Sequence, residues 1–185
     1  IYSCGNIIQW LRDKMKFFDD AKESEKYLSK LGNSNKVLFL PAFNGLGAPF
    51  WDPDIRGGFH GITQDTSIED IVTAAFHSIT FQTKEITDVL EINNIEINKL
   101  LVDGGMVANE TFCQVLSDTL QKVIIRPENL ESTALGACKV AMIASGETDI
   151  NLVGENKTFD PDDSLQKVYD ATLDAWRNYI KINLS

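Results

Sequence analysis

Apolar residues recur along the chain at spacings that switch repeatedly between helical and extended periods. Ile7, Ile8, Leu11, Met15 and Phe18 follow a helical rhythm and predict a first helix over residues 7–18. A more charged helix is expected over 20–31, stopped by Gly32-Asn33-Ser34-Asn35. The short apolar run at 36–40 reads as a buried strand ended by Pro41. A second strand is expected at 59–63. Asp65-Thr66-Ser67 then offers caps for a long helix whose stripe is Ile68, Ile71, Val72, Ala75, Ile79, Ile86 and Leu90. A strand at 99–103, a helix near 109–120, a strand at 123–125 and a helix from Glu131-Ser132-Thr133 to Ala144 follow, with Gly146 fitting the left-handed position past the helix end. Residues 147–160 read as polar loop. Asp160-Pro161 is expected to open a last helix, with Leu165, Val168, Tyr169, Leu173, Trp176 and Ile180 on its apolar face. Trp10 and Trp176 are expected in the core. Strands alternating with helices predict a layered α/β or α+β domain.

One stretch breaks the pattern. Residues 41–58 carry Pro41, Pro49 and Pro53, several glycines and the large aromatics Phe43, Phe50 and Trp51. A loop with that much apolar area is expected to pack on something, or to leave aromatics exposed for self-association. Asp52 and Arg56 are expected to pair and hold it.

Composition narrows the function. The 185 residues suit one domain with a substantial core. The net charge of -10 argues against a nucleic-acid partner, which requires a basic surface. No tract is long enough to span a membrane, and the expected location is cytoplasmic. Cys4, Cys113 and Cys138 are far apart and read as reduced packing residues. With only His60 and His77 and no His/Cys cluster, no structural zinc site is expected. The chain starts at Ile1 and enters an amphipathic segment at once, which reads as a piece of a longer protein.

The candidate chemistry lies at Leu100-Leu101-Val102-Asp103-Gly104-Gly105, a buried strand meeting a helix start. Glycines there let a ligand approach the backbone, and N–H groups at the helix start can face an anion. Such a corner suits a nucleotide, although paired glycines also serve simply to turn the chain.

Several segments resemble one family. Residues 41–57, PAFNGLGAPFWDPDIRG, resemble a loop of glycerol kinases. Val102-Asp103-Gly104-Gly105 with Ala108-Asn109 resembles an adenosine motif, Glu131-Ser132-Thr133-Ala134-Leu135-Gly136-Ala137 an ETTALGAA helix start, and residues 5–13 a GxxxQWLRD helix. The family is the FGGY carbohydrate kinases. The resemblance implies an α/β fold, an actin-like ATPase (RNase H-like) domain with a mixed central sheet flanked by helices. It also implies that residues 1–185 are a C-terminal, nucleotide-side domain lacking its N-terminal partner domain. The implied activity is ATP- and Mg2+-dependent phosphorylation of glycerol to sn-glycerol 3-phosphate, with a homo-oligomer expected. A xylulose, ribulose or gluconate kinase, or a non-catalytic actin-like nucleotide-binding module, are the competing readings.

By that resemblance Gly5, Gln9, Gly105 and Asn109 are nucleotide-binding, with Gly104 and Asp103 supporting the corner. Each has a plainer use. Gln9 suits a solvated helix face, Asn109 an N-cap, Asp103 a turn, and residues 131–133 a helix-start device. No catalytic or metal-binding residue is matched. The aspartate base, the glycerol contacts and the phosphate loop are expected on absent polypeptide.

Overall fold

A computed structural model describes residues 4–28, 37–147 and 154–184. Its pivot is α3, Ile68–Ile92. Ser67 caps it: the Ser67 hydroxyl accepts from Asp70 N at 3.2 Å, and the Asp70 carboxylate accepts from Ser67 N at 2.8 Å. The sequence predicts one apolar stripe, but residues 72–82 are buried on every side. The reason is chemical. Ser78 and Thr80 donate to the carbonyls of Ala75 and His77 at 2.7 and 3.0 Å, and Thr73 donates to Tyr27 O at 3.0 Å. With their hydroxyls satisfied, these small residues admit close neighbours.

On one side of α3 lies a two-stranded antiparallel sheet. β1, Leu38–Leu40, pairs with β2, Gly58–His60, with Phe39 opposite Phe59. Those rings stack at 4.4 Å, and Trp10 joins them from α1, Cys4–Asp13. The last helix seals this side. In α6, Gln166–Asn183, the fully buried Trp176 donates Nε1–H to Phe39 O at 2.7 Å. Arg177 ties α6 back to α3 through Glu85 and Asp88, at 2.5 and 2.8 Å.

On another side α4, Glu110–Leu120, packs against α3 and a mixed sheet. In that sheet β3, Lys99–Leu101, runs parallel to β4, Val123–Pro127, and β5, Asn156–Phe159, is antiparallel to β4. Ile124 is fully buried beneath α4. α5, Ser132–Ala144, follows β4. Among the described residues no helix is long and apolar enough to cross a membrane.

Several expectations need correction. The first helix ends at Asp13 because Lys16 takes a left-handed φ of 58°, and Phe18 is buried beyond the turn. The expected helix at 20–31 breaks into a 3-10 turn, Ala21–Glu23, and α2, Ser24–Tyr27, because Asp20 caps Lys22 N and Ser24 donates back to Ala21 O. Its end, 29–31, and the stop signal at 32–35 lie outside the described residues. The expected polar loop contains β5, an edge strand with a single buried side chain, Phe159. The last helix starts at Gln166, after a 3-10 turn capped by Asp162. Asp160 and Asp162 are instead tied to α4 by Gln114 and Asp118 at 2.7 and 2.9 Å. α5 starts where predicted, but no side chain of residues 131–133 caps it; Glu131 N donates to Asn129 at 2.9 Å.

The long loop does pack. Asp52 Oδ1 accepts from Asp54 N and Ile55 N at 2.9 and 3.0 Å, and Arg56 donates to the carbonyls of Pro53, Asp54 and Ile55. Both residues therefore brace backbone, where a mutual pair was expected. Leu46 and Ile55 are buried, and Phe50 meets Trp176 edge-on at 6.2 Å. Trp51 is left 72% exposed.

His77 on α3 is 3% exposed between Phe81 and Tyr169, and its Nε2 has no partner. Burial pushes its pKa down from 6.5 to about 3, so the fold holds a neutral imidazole. The unfolded chain takes up a proton below pH 6.5 and the folded chain only near pH 3, so this contribution is complete above 6.5 and is lost as pH falls between those values. Denaturant unfolding is expected to lose about 1.4 kcal/mol per pH unit of acidification in that window. His77→Leu should abolish that slope; an unchanged slope in the variant would refute the assignment.

Candidate functional site

The cleft is built from the start of α1 and the corner between β3 and α4. Gly104 makes the corner with φ 91° and ψ 174°, a conformation essentially restricted to glycine. A 3-10 turn, Gly105–Ala108, then separates the corner from α4. The sequence expectation of a strand leading straight into a helix N-terminus is corrected accordingly. The first amides of α4 are not at the glycines, and one is taken up by the Asn109 side chain.

Asn109 has two ends with different fates. Its Oδ1 accepts from Phe112 N at 2.8 Å and caps α4. A backbone N–H only donates, so this bond fixes which end of the amide is oxygen. Nδ2 is buried and has no partner. An unmet buried donor costs about 1–3 kcal/mol, and because Nδ2 is closed to solvent a molecule in the cavity reaches it only when the side chain moves. The capping reading of Asn109 is the one the structure shows.

Two adjoining cavities open here. One, of about 470 Å³, is lined by Ile8, Ala21, Phe76, Gly105, Met106 and Asn109 among others. The other, of about 460 Å³, is bordered by Cys4, Gly5, Gln9, Asp103, Gly104 and Gly105 among others. Gly105 lines both, as do Ile8, Ala21 and Met106. Gly5 and Gln9 thus meet Gly105 around one cavity, and Asn109 meets Gly105 around the adjoining one, although they come from segments about a hundred residues apart in sequence. A Cβ added at Gly5 or Gly105 would find no atom within 4 Å. Packing within the protein does not demand glycine at either position; what the missing side chains leave is room in the cleft.

The turn below the cleft is held from behind. Val107 O accepts from Cys113 Sγ at 3.4 Å and from Arg126 at 3.1 Å. Arg126 reaches Glu110, which also meets Lys157 at 2.6 Å. Lys157 and Arg126 hold the Glu110 carboxyl below its usual range. Burial raises the Cys4 and Cys113 thiols to about 11, which leaves them protonated and suited to packing. Sequence reasoning missed Ile8, Ala21, Phe76 and Met106 as cleft walls, because apolar residues at helical spacing look like ordinary core. It also missed Arg126, which carried no motif.

Residues 1–145 match the C-terminal domain of the FGGY family of carbohydrate kinases. The chain belongs to this family. A glycerol kinase from Marinomonas sp. (strain MWYL1) is 45% identical over 146 residues, which cover 79% of this chain and 30% of that protein. One from Bacillus velezensis is 44% identical over 147 residues, again 79% of this chain and 30% of that protein. The chain therefore spans under a third of these relatives. Among solved structures, Plasmodium falciparum glycerol kinase with ADP superposes with a TM-score of 0.81 at 31% identity, covering 98% of this chain and 37% of that one. Gluconate kinase from Lactobacillus acidophilus superposes at 0.76 with 21% identity, covering 96% of this chain and 38% of that one, and shows the fold alone. The actin-like α/β expectation holds: this is the architecture of FGGY kinases, and its sheet of β3, β4 and β5 is mixed.

Asn109→Ala should lower stability by about 1 kcal/mol through loss of the cap, whereas Asn109→Asp should keep it. Chemical denaturation of the two variants checks this; equal losses would mean that the cap bond is not what stabilises α4.

Proposed function

We propose that residues 1–185 are the nucleotide-side C-terminal part of an ATP-dependent glycerol kinase. The whole enzyme then transfers the γ-phosphate of ATP to glycerol, giving sn-glycerol 3-phosphate. The observation that carries the reading is the cleft itself. Gly5, Gln9, Gly105 and Asn109 border it, and an unmet amide donor waits at Asn109. The 31% identical relative superposed on nearly the whole chain is a glycerol kinase solved with ADP. Glycerol is preferred over a sugar acceptor because the relatives at 44–45% identity are glycerol kinases.

The chemistry assigned to this chain is binding. Gly5 and Gly105 give the nucleotide backbone-close access. Asn109 Nδ2 donates to an acceptor on it, and Gln9 offers an amide from the opposite wall. Ile8, Phe76 and Met106 supply apolar surface for a flat base. Phosphoryl transfer needs a base and charge stabilisation as well as positioning. Neither Asp103 nor Asp52 is given the base role; Asp52 is engaged in bracing its loop. Magnesium supplies phosphate neutralisation in such reactions. Among the described residues no three His, Cys, Asp or Glu side chains converge to hold a metal. The reading assigns base, acceptor contacts and phosphate loop to polypeptide outside this chain, and takes the enzyme as cytoplasmic and homo-oligomeric.

Titration of residues 1–185 with ADP should give weak binding, because half of the cleft and its closure are missing. Gly105→Trp should abolish it by filling the cleft, since a Cβ at this position points into open space. Asn109→Asp should weaken it about tenfold through loss of the donor while leaving the cap. Undiminished binding in both variants would remove the site from this cleft. With MgATP and glycerol the isolated chain should form no glycerol 3-phosphate; measurable turnover would show that the reactive groups are here after all.

A further inference from the structure

The two adjoining cavities differ in what they offer. They share Ile8, Ala21, Gly105 and Met106. The one of about 460 Å³ adds polar walls, among them Gln9, Arg12 and Asp103. The one of about 470 Å³ adds Phe76, which is 2% exposed, and is the more apolar of the two. A flat base suits the apolar cavity and a sugar with its phosphates the polar one, with Gly105 between them.

The polar side chains that line the apolar cavity are not equivalent. Asp20, Lys22 and Glu25 are exposed to water. Asp20 Oδ1 already accepts from Lys22 N at 2.9 Å, and Glu25 Oε1 from the Thr111 N and hydroxyl at 3.4 and 3.3 Å. The donor assigned to Asn109 suits a ring nitrogen, which every purine carries, so it does not distinguish one purine from another. Ser24 stands apart. It lines the same cavity at 3% exposure, and its hydroxyl donates to Ala21 O at 2.5 Å. A serine hydroxyl has one hydrogen and two lone pairs. With the hydrogen held by Ala21 O, Oγ can only accept from a molecule in the cavity.

An acceptor with no hydrogen to give distinguishes purines. Adenine carries an amino group at position 6, which donates; guanine carries an oxygen there, which accepts. An oxygen facing Ser24 Oγ would set lone pairs against lone pairs with no hydrogen between them. We propose that Ser24 selects the base. The purine enters the apolar cavity against Ile8, Phe76 and Met106, its 6-amino group donates to Ser24 Oγ, and the sugar and phosphates pass Gly105 into the polar cavity. Ser24 is then a specificity-determining residue for 6-aminopurine over 6-oxopurine nucleotides. The inference rests on the reading of this cleft as a nucleotide site, and it adds which base the site takes and which side chain reads it.

The test is a ligand-observed NMR titration of residues 1–185 with ADP, GDP and purine riboside 5′-diphosphate, which has only hydrogen at position 6. The unaltered chain should bind ADP about tenfold more tightly than either of the other two. In Ser24→Ala that preference should fall to about twofold or less, through weaker ADP binding, while the affinity for purine riboside 5′-diphosphate stays where it was. Equal affinities of the unaltered chain for the three ligands overturn the role of Ser24 and leave the nucleotide site standing. This comparison needs no variant, so it decides the matter even where loss of the Ser24–Ala21 bond unfolds the turn. A preference for ADP that survives in Ser24→Ala overturns the role as well. So does parallel weakening of all three ligands, which would make Ser24 a support of the cleft with no reading of the base. Binding of none of the three by the unaltered chain removes the nucleotide site and the role of Ser24 with it.

Discussion

The structure depends on the burial of residues 72–82 of α3 from all sides. A helix enclosed in this way has to carry polar groups that need nothing from outside, and Ser78 and Thr80 meet that condition by donating to their own helix. Neighbours can then approach closely on opposite flanks. The aromatic group of Trp10, Phe39 and Phe59 with α6 takes one, and α4 takes another. Because α1 and α4 both lean on α3, the ends that border the cleft are held at a fixed separation. Phe76 of α3 forms part of the cleft wall itself.

The site therefore inherits its rigidity from the core while its chemistry comes from what is missing. Gly5 and Gly105 contribute space and Gly104 a backbone direction. Asn109 contributes a cap at one end of its amide and an unmet donor at the other. The turn carrying Gly105 and Asn109 is pinned from beneath at Val107 O by Cys113 and Arg126. Groups held this way would lose little freedom on binding the nucleotide proposed for this cleft.

Among the described residues α5 is an apolar helix with no buried residue, and β3 pairs along one edge.

Much was legible from residue order alone. The span of α3 and its Ser67 cap, the strands at residues 99 and 123, the Gly104 corner and the family all follow from local signals: periodicity, capping chemistry and glycine spacing act within a few residues. Other features were settled only by distant contacts. β5 is polar and became a strand because β4 offered it an edge. The start of α6 moved because residues 160–162 bind side chains of α4. The all-round burial of residues 72–82, the meeting of Gly5 and Gln9 with Gly105, and the support from Arg126 needed the folded chain. Residue order specifies what each segment can do locally; which segments meet, and which buried groups go unmatched, is decided when long-range packing closes the chain on itself.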